Sequence, residues 1–73
     1  MRLNPKSVTE TASRLAESAA ETVCAEAGGF TMARWMVSLQ SAHRVALLSL
    51  QLGHAPGTAL RAATVAARCA GRA

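Results

Sequence analysis

Residues 30–52 read FTMARWMVSLQSAHRVALLSLQL, and this stretch decides the fold of the chain. Eleven of the chain's large apolar side chains fall within it. Thr31 is suited to be an N-cap, and Gly53 supplies a C-terminal stop, so the pattern predicts a helix over residues 32–52.

The apolar residues of this helix occupy more than one side of it. The broad face consists of Met32, Trp35, Met36, Leu39, Ala42, Ala46 and Leu50, and the other side of Val37, Val45, Leu48 and Leu52. A helix that is apolar nearly all round is buried on several sides. Ser38, Ala42 and Ala46 also recur at a spacing of four. Such a row either marks a close helix contact or arises by chance in an alanine-rich chain.

A first helix is predicted ahead of this segment. Residues 7–10, Ser-Val-Thr-Glu, match a capping box, and the glycines at 28 and 29 provide a left-handed stop. Together they predict a helix over residues 8–27, preceded by an N-terminal arm over residues 1–6. Its apolar stripe is largely alanine, and its glutamates, Glu17 among them, are interpreted as a solvated face.

A third, shorter helix is predicted over residues 57–70, with Gly71 ending it. The chain contains 17 alanines among 73 residues, and both flanking helices offer mostly alanine to their neighbours. Because such helices contribute little apolar area, we expect that they do not cover the helix at 32–52 completely. The predicted fold is all-α, a helical hairpin or small three-helix unit that is completed by oligomerisation or by a partner.

Charge is distributed unevenly along the chain. All four acidic residues lie within the first 26 positions, which carry a net charge of −1, and the remaining 47 positions carry +5. The basic segment contains Arg34, Arg44, Arg61, Arg68 and Arg72. An asymmetric field of this kind is typical of a protein that meets a charged partner.

The sequence shows no pattern for catalysis or for cofactor binding. His43 and His54 are too far apart for the close ligand pairs of structural zinc, and no acid follows residue 26 to orient either of them as a base. Cys24 and Cys69 each lie among alanines in a helical pattern, which is typical of small buried apolar residues. We therefore expect no enzymatic activity, no metal and no cofactor.

The cellular compartment is predicted from the lack of two apolar features, a signal peptide and a spanning helix. The first six residues have no apolar run of the kind found in signal peptides. No stretch approaches the roughly 20 apolar residues of a spanning helix. We therefore expect a protein of the reducing cytoplasm without a transmembrane segment.

These observations favour a small interaction module, such as an adaptor, an inhibitor or a structural subunit. It would self-associate or dock on a partner with an acidic surface, because large apolar anchors carry most interface energy and arginines steer association. The predicted apolar contacts are Phe30, Trp35, Met36, Leu39, Leu48 and Leu52. The predicted basic contacts are Arg34, Arg44, Arg61, Arg68 and Arg72. One form of self-association pairs the acidic face of the first helix with the arginines of the third helix in another copy.

Two alternatives stay open. Arginines along the third helix are compatible with binding to nucleic-acid phosphates. An amphipathic coat on a lipid or polymer surface is the other possibility. In its alanine-rich, leucine-punctuated composition the segment 30–70 resembles the phasins, which coat polyester storage granules. That resemblance implies a surface-coating role and assigns no role to any single residue.

Overall fold

The computed structural model describes residues 5–72 and contains three helices. They are α1, Pro5–Glu26; α2, Met32–Gln51; and α3, Pro56–Arg72. Each helix packs against the other two, and the described residues contain no strand. The chain forms a rod with extents of 38 × 18 × 16 Å. Short turns connect the helices, so α2 runs antiparallel to α1 and α3, which are parallel to each other.

Helix α1 begins earlier than the capping box predicts. Pro5 is its first residue, a position where the missing N–H of proline costs no hydrogen bond. Residues 5 and 6 of the predicted arm are therefore helical, and Ser7 lies within the first turn. Residues 1–4 of that arm lie outside the described residues. The helix ends at Glu26, and Gly28 follows with a φ of 91°.

The two ends of α2 agree closely with the sequence. Thr31 is the N-cap, and its side-chain oxygen accepts a hydrogen bond of 3.2 Å from the backbone N–H of Arg34. Gly53 follows the helix with a φ of 93°, and its N–H donates to the carbonyl of Leu50. Each end of α2 is therefore set by residues that are adjacent to it in the sequence.

Small residues form the interior where the three helices meet. We name this set the alanine seam. Every member is fully shielded from solvent: Ala12, Ala16 and Ala19 of α1; Ser38, Ala42 and Ala46 of α2; and Ala59, Ala63 and Ala67 of α3. Alanine side chains allow neighbouring helices to approach closely, so the row of small residues in α2 marks a helix contact. The half-buried side chains of Val8, Leu15, Leu39, Leu47 and Leu60 pack against the seam.

Close contacts also join the second half of α3 to α1 and α2. The hydroxyl of Ser38 donates to the carbonyl of Ala67 over 3.4 Å. Gly71 lies within the last turn of α3 and does not end the helix, which corrects the sequence prediction. A Cβ atom at this position would lie 3.0 Å from Val23 Cγ1 and 3.2 Å from Ser38 Oγ. Glycine therefore allows a closer contact here than a residue with a Cβ atom would.

Part of the predicted broad face of α2 lies at the surface, and so does one cysteine that was expected to be buried. Met32 and Met36 are exposed, although the sequence placed them on one face with Ala42 and Ala46. The seam is centred on the small residues, and this rotation of α2 turns both methionines outward. Cys24 is buried as expected, but Cys69 is exposed on α3, and no disulfide joins them.

Candidate interaction surface

Large apolar side chains surround α2 on the outside of the bundle. Leu52 is 69% exposed and Phe30 is 61% exposed. The full set of exposed large apolar side chains is Phe30, Met32, Met36, Val37, Leu48, Leu52 and Val65. All but the last lie in the stretch 30–52. This concentration on one helix distinguishes the set from single apolar residues scattered over a surface.

An open groove of about 720 Å³ runs between α1 and α2. We name it the α1–α2 groove. It is lined by Ser13, Ala16 and Glu17 from α1 and by Leu39, Gln40, His43, Arg44 and Leu47 from α2. Glu17 and Arg44 are exposed, whereas Leu39, His43 and Leu47 are half-buried. The groove therefore has an apolar floor and carries opposite charges on its two rims.

The groove brings together three side chains that the sequence keeps apart. Ser13 and Glu17 of α1 line the same groove as His43 of α2. No acid follows residue 26 in the sequence, but Glu17 of α1 lies in the same groove as His43. Within residues 5–72, however, no hydrogen bond links these three side chains. Nucleophilic catalysis needs such a link between nucleophile and base.

The turn before α2 carries an aromatic pair. The rings of Phe30 and Trp35 lie 5.8 Å apart at an interplanar angle of 51°. Trp35 is half-buried, whereas Phe30 is exposed. This spacing and tilt suit the attraction between the edge of one ring and the face of another. The pair therefore forms an apolar end to the bundle, next to the carboxyl end of α1.

An ion pair fixes one of the predicted arginines. The guanidinium of Arg68 donates from Nε and Nη2 to the two carboxylate oxygens of Glu26, each over 2.9 Å. This hydrogen bonding, with the positive charges of Arg68 and Arg72, holds the pKa of Glu26 below its ordinary value of 4.5. In the described part of the chain it is the one ion pair found. Arg68 therefore links α3 to the end of α1 at the surface of the bundle.

The other arginines occupy separate places. Arg44 is exposed on the rim of the α1–α2 groove, and Arg61 and Arg72 are exposed on α3. Arg34 is half-buried and lines a small cleft between the start of α2 and the end of α3. With Arg68 engaged by Glu26, the three arginines of α3 do not make a continuous row of free cations.

The predicted site residues therefore fall into several groups. Leu39 and Arg44 lie in the groove, with Met36 beyond its end on the same side of α2. Leu48 and Leu52 lie near the opposite end from Phe30 and Trp35. The predicted contacts did not include six groove residues, which are Ser13, Ala16, Glu17, Gln40, His43 and Leu47. A spacing of four joins Leu39, His43 and Leu47, and this pattern was the available signal for them.

Further observations limit the chemistry of the described residues. Residues 5–72 contain no group of three His, Cys, Asp or Glu side chains that could hold a metal ion. In the same range, every buried side-chain nitrogen or oxygen has a hydrogen-bond partner. The helices described are each too short or too polar to cross a membrane. Comparison with protein-family models, curated proteins and solved structures gives no match.

Proposed function

We propose that the chain is a non-enzymatic protein–protein interaction module that docks through α2. The observation that carries this proposal is the division of apolar residues within the bundle. Alanine and serine occupy the seam, whereas large apolar side chains around α2, such as Met36, Leu48 and Leu52, face solvent. Covering them with a partner removes apolar surface from water at roughly 25 cal/mol per Å².

The size of the chain supports a stabilising partner. A domain of this length buries only about 60% of the surface that its unfolded chain exposes, so its own stability is small. The alanine seam reduces the apolar contribution further, because each alanine buries little area. Docking stabilises the folded state by mass action, since a partner binds the folded chain and not the unfolded one.

Three arginines remain available to meet the partner. Arg44, Arg61 and Arg72 are exposed, whereas Arg68 is engaged by Glu26. The chain has a net charge of +4, which favours association with an acidic protein surface. Such charges at the rim of an interface raise the association rate and guide orientation, and the apolar side chains of α2 supply affinity.

Crosslinking inside cells tests this proposal. A photo-crosslinking amino acid is placed at Leu48 or at Met36 of the full chain. The matched control carries it at Ser18, which is exposed on α1 away from the groove. We expect discrete crosslinked products from both α2 positions and none from Ser18. The mass of each product separates a second copy from a different protein. The absence of any discrete product from α2 would overturn the proposal.

The nucleic-acid and coat hypotheses stay predictions, and two measurements separate them from docking. Salt-sensitive binding to random duplex DNA would favour the first. Helicity that rises only when lipid or polymer is added would favour the second. The ion pair of Arg68 with Glu26 removes the middle cation of the arginine row on α3, which supports the choice of a protein partner.

A further inference from the structure

The α1–α2 groove has the charge pattern of a self-complementary surface. Its α1 rim carries Glu17 and its α2 rim carries Arg44. Both side chains are exposed, and neither forms an ion pair within residues 5–72. The floor between them is made by Ala16, Leu39 and Leu47. Any occupant of this groove must therefore offer apolar bulk, a cation opposite α1 and an anion opposite α2.

We propose that the occupant is a second copy of this chain, related by a two-fold axis that runs parallel to the helices. In this arrangement α1 of each copy lies over α2 of the other. Glu17 of one copy meets Arg44 of the second copy, and the reciprocal contact forms at the same time. The inference rests on the proposed function, because it specifies one partner of the interaction module.

The positions of Glu17 and Arg44 along the helix axis fit this symmetry. Helices α1 and α2 are antiparallel, so Glu17 lies near the level of His43 and Arg44 in the same groove. Rotation about an axis parallel to the helices does not change height, so each glutamate stays level with the arginine of the other copy. A two-fold axis across the helices would place Glu17 near Glu17 and Arg44 near Arg44, which repels.

Shape and size also favour a second copy over a small molecule. Ligand sites enclose most of their ligand and present a few convergent polar groups, whereas this groove is open along its length. One long face of the rod measures 38 by 18 Å. A second copy laid along this face can therefore bury an area of the order of the roughly 800 Å² per partner that a standard interface buries. Closed two-fold pairs need a patch that complements itself, which Glu17 and Arg44 provide.

The outer apolar residues of α2 lie beside the groove and do not line it. Val37 lines the cleft between α2 and α3. Leu48 lies four residues after Arg44, so it projects next to the α2 rim of the groove, one helical turn beyond the contact proposed for Arg44. Pairing through the groove and docking at Leu48 are therefore distinguished by what is measured. Charge reversal acts on the pair, and the mass of the crosslinked product identifies what binds at Leu48.

Charge reversal tests the pair. The dissociation constant of the full chain is measured by sedimentation equilibrium for the unaltered protein, for Glu17→Arg and for Arg44→Glu. Each single variant repels its own copy at two contacts, so we expect self-association to weaken about 10-fold or more at low salt. An equimolar mixture of the two variants restores both contacts between copies. We expect the mixture to associate within about threefold of the unaltered chain.

A control variant distinguishes the effect of a charge in the groove from the effect of the net charge of the chain. Arg14→Glu has the same net charge as Arg44→Glu, but Arg14 is exposed on α1 and does not line the groove. Alone it should leave the dissociation constant unchanged. Mixed with Glu17→Arg it should restore association only in part, because one of the two rim contacts would still pair like charges. Circular dichroism confirms that each variant retains its helices.

Three results would overturn the inference. They are a chain that stays monomeric at all concentrations, a dimer that neither charge reversal weakens, and a mixture that does not recover. If Leu48 still crosslinks to a discrete product in any of these cases, the interaction module stands and only the groove pairing fails. If the charge variants behave as expected but neither α2 position crosslinks to anything except a second copy, docking of a different partner on the outer side of α2 fails instead.

Discussion

Two sides of the same helix differ in the size of their side chains. The inner side of α2 presents Ser38, Ala42 and Ala46 to its neighbours, whereas the outer side presents Val37 and Leu48 to solvent. Globular domains usually place their larger apolar residues inside. Here close approach of helix backbones provides the interior, and larger side chains are kept for the surface. The difference indicates that the inner side holds the bundle together and the outer side is suited to contacts outside it.

The largest expected effect comes from adding bulk to the inner side. Ala46→Leu introduces extra carbons at a position that is fully shielded from solvent, and overpacking of this kind should destabilise the bundle by about 3 kcal/mol. The midpoint of thermal unfolding should fall by about 15 °C. Ala33→Leu makes the same change at an exposed position of α2 and should shift the midpoint by less than about 3 °C. Equal effects at both positions would remove the distinction between the two sides.

The reverse comparison removes side-chain volume from two leucines that are close in sequence, one buried and one exposed. Leu50 belongs to the buried cluster, so Leu50→Ala should cost about 2 kcal/mol of unfolding free energy. Leu48 is 56% exposed, so Leu48→Ala should change that free energy by no more than about 0.5 kcal/mol. Urea unfolding of the two variants measures the difference. A cost at Leu48 as large as at Leu50 would mean that the outer leucine already supports the isolated chain.

A pair of glycine substitutions tests the close contact between the end of α3 and its neighbours. Gly57→Ala adds a methyl group with nothing within 4 Å, so it should stabilise α3 by up to about 1 kcal/mol through helix propensity. Gly71→Ala places its methyl group against Val23, which is buried and has little room to move. We expect this second variant to be less stable than the first by about 1–2 kcal/mol. Thermal unfolding of both variants provides the measurement.

The smallest expected effect concerns the surface ion pair between Glu26 and Arg68. The pKa of Glu26 is lowered in the folded chain, so its contribution is complete above the ordinary value of 4.5 and is lost as the pH falls through the lowered value. Glu26→Gln should therefore reduce stability at pH 7 slightly and make the two proteins converge at low pH. A gap that is unchanged between pH 7 and pH 2 would show that the ion pair contributes nothing.

Local signals predicted the helices better than they predicted the interior. The cap at Thr31 and the stop at Gly53 depend on neighbouring residues, and both occur as expected. The orientation of α2 depends on what α1 and α3 offer, which the sequence of α2 does not contain. Because both partners present alanine, the small residues of α2 occupy the interior, and Met32 and Met36 lie outside. From the sequence of α2 alone, both methionines fall on one face with Ala42 and Ala46, and the pattern does not show which part of that face the neighbouring helices cover.

The groove was harder to predict because it joins two helices. Glu17 looked like one of several solvated glutamates, and Arg44 like one of several arginines flanking an apolar helix. Their shared groove becomes visible only when the rotation of α1 against α2 is known. The ion pair of Glu26 with Arg68 likewise joins residues 42 positions apart in sequence. The division of the predicted arginines into paired and exposed ones therefore required the tertiary structure.

Because the described residues form three helices, they begin at one end of the rod and finish at the other. Pro5 lies at one end and Arg72 at the other, in a rod 38 Å long. Any segment joined before α1 is therefore held apart from any segment joined after α3, so the bundle separates two attachment points. In a pair with its axis along the rod, both α1 starts point the same way. Fluorophores attached near residues 5 and 72 would report this polarity, since like ends lie closer together than unlike ends.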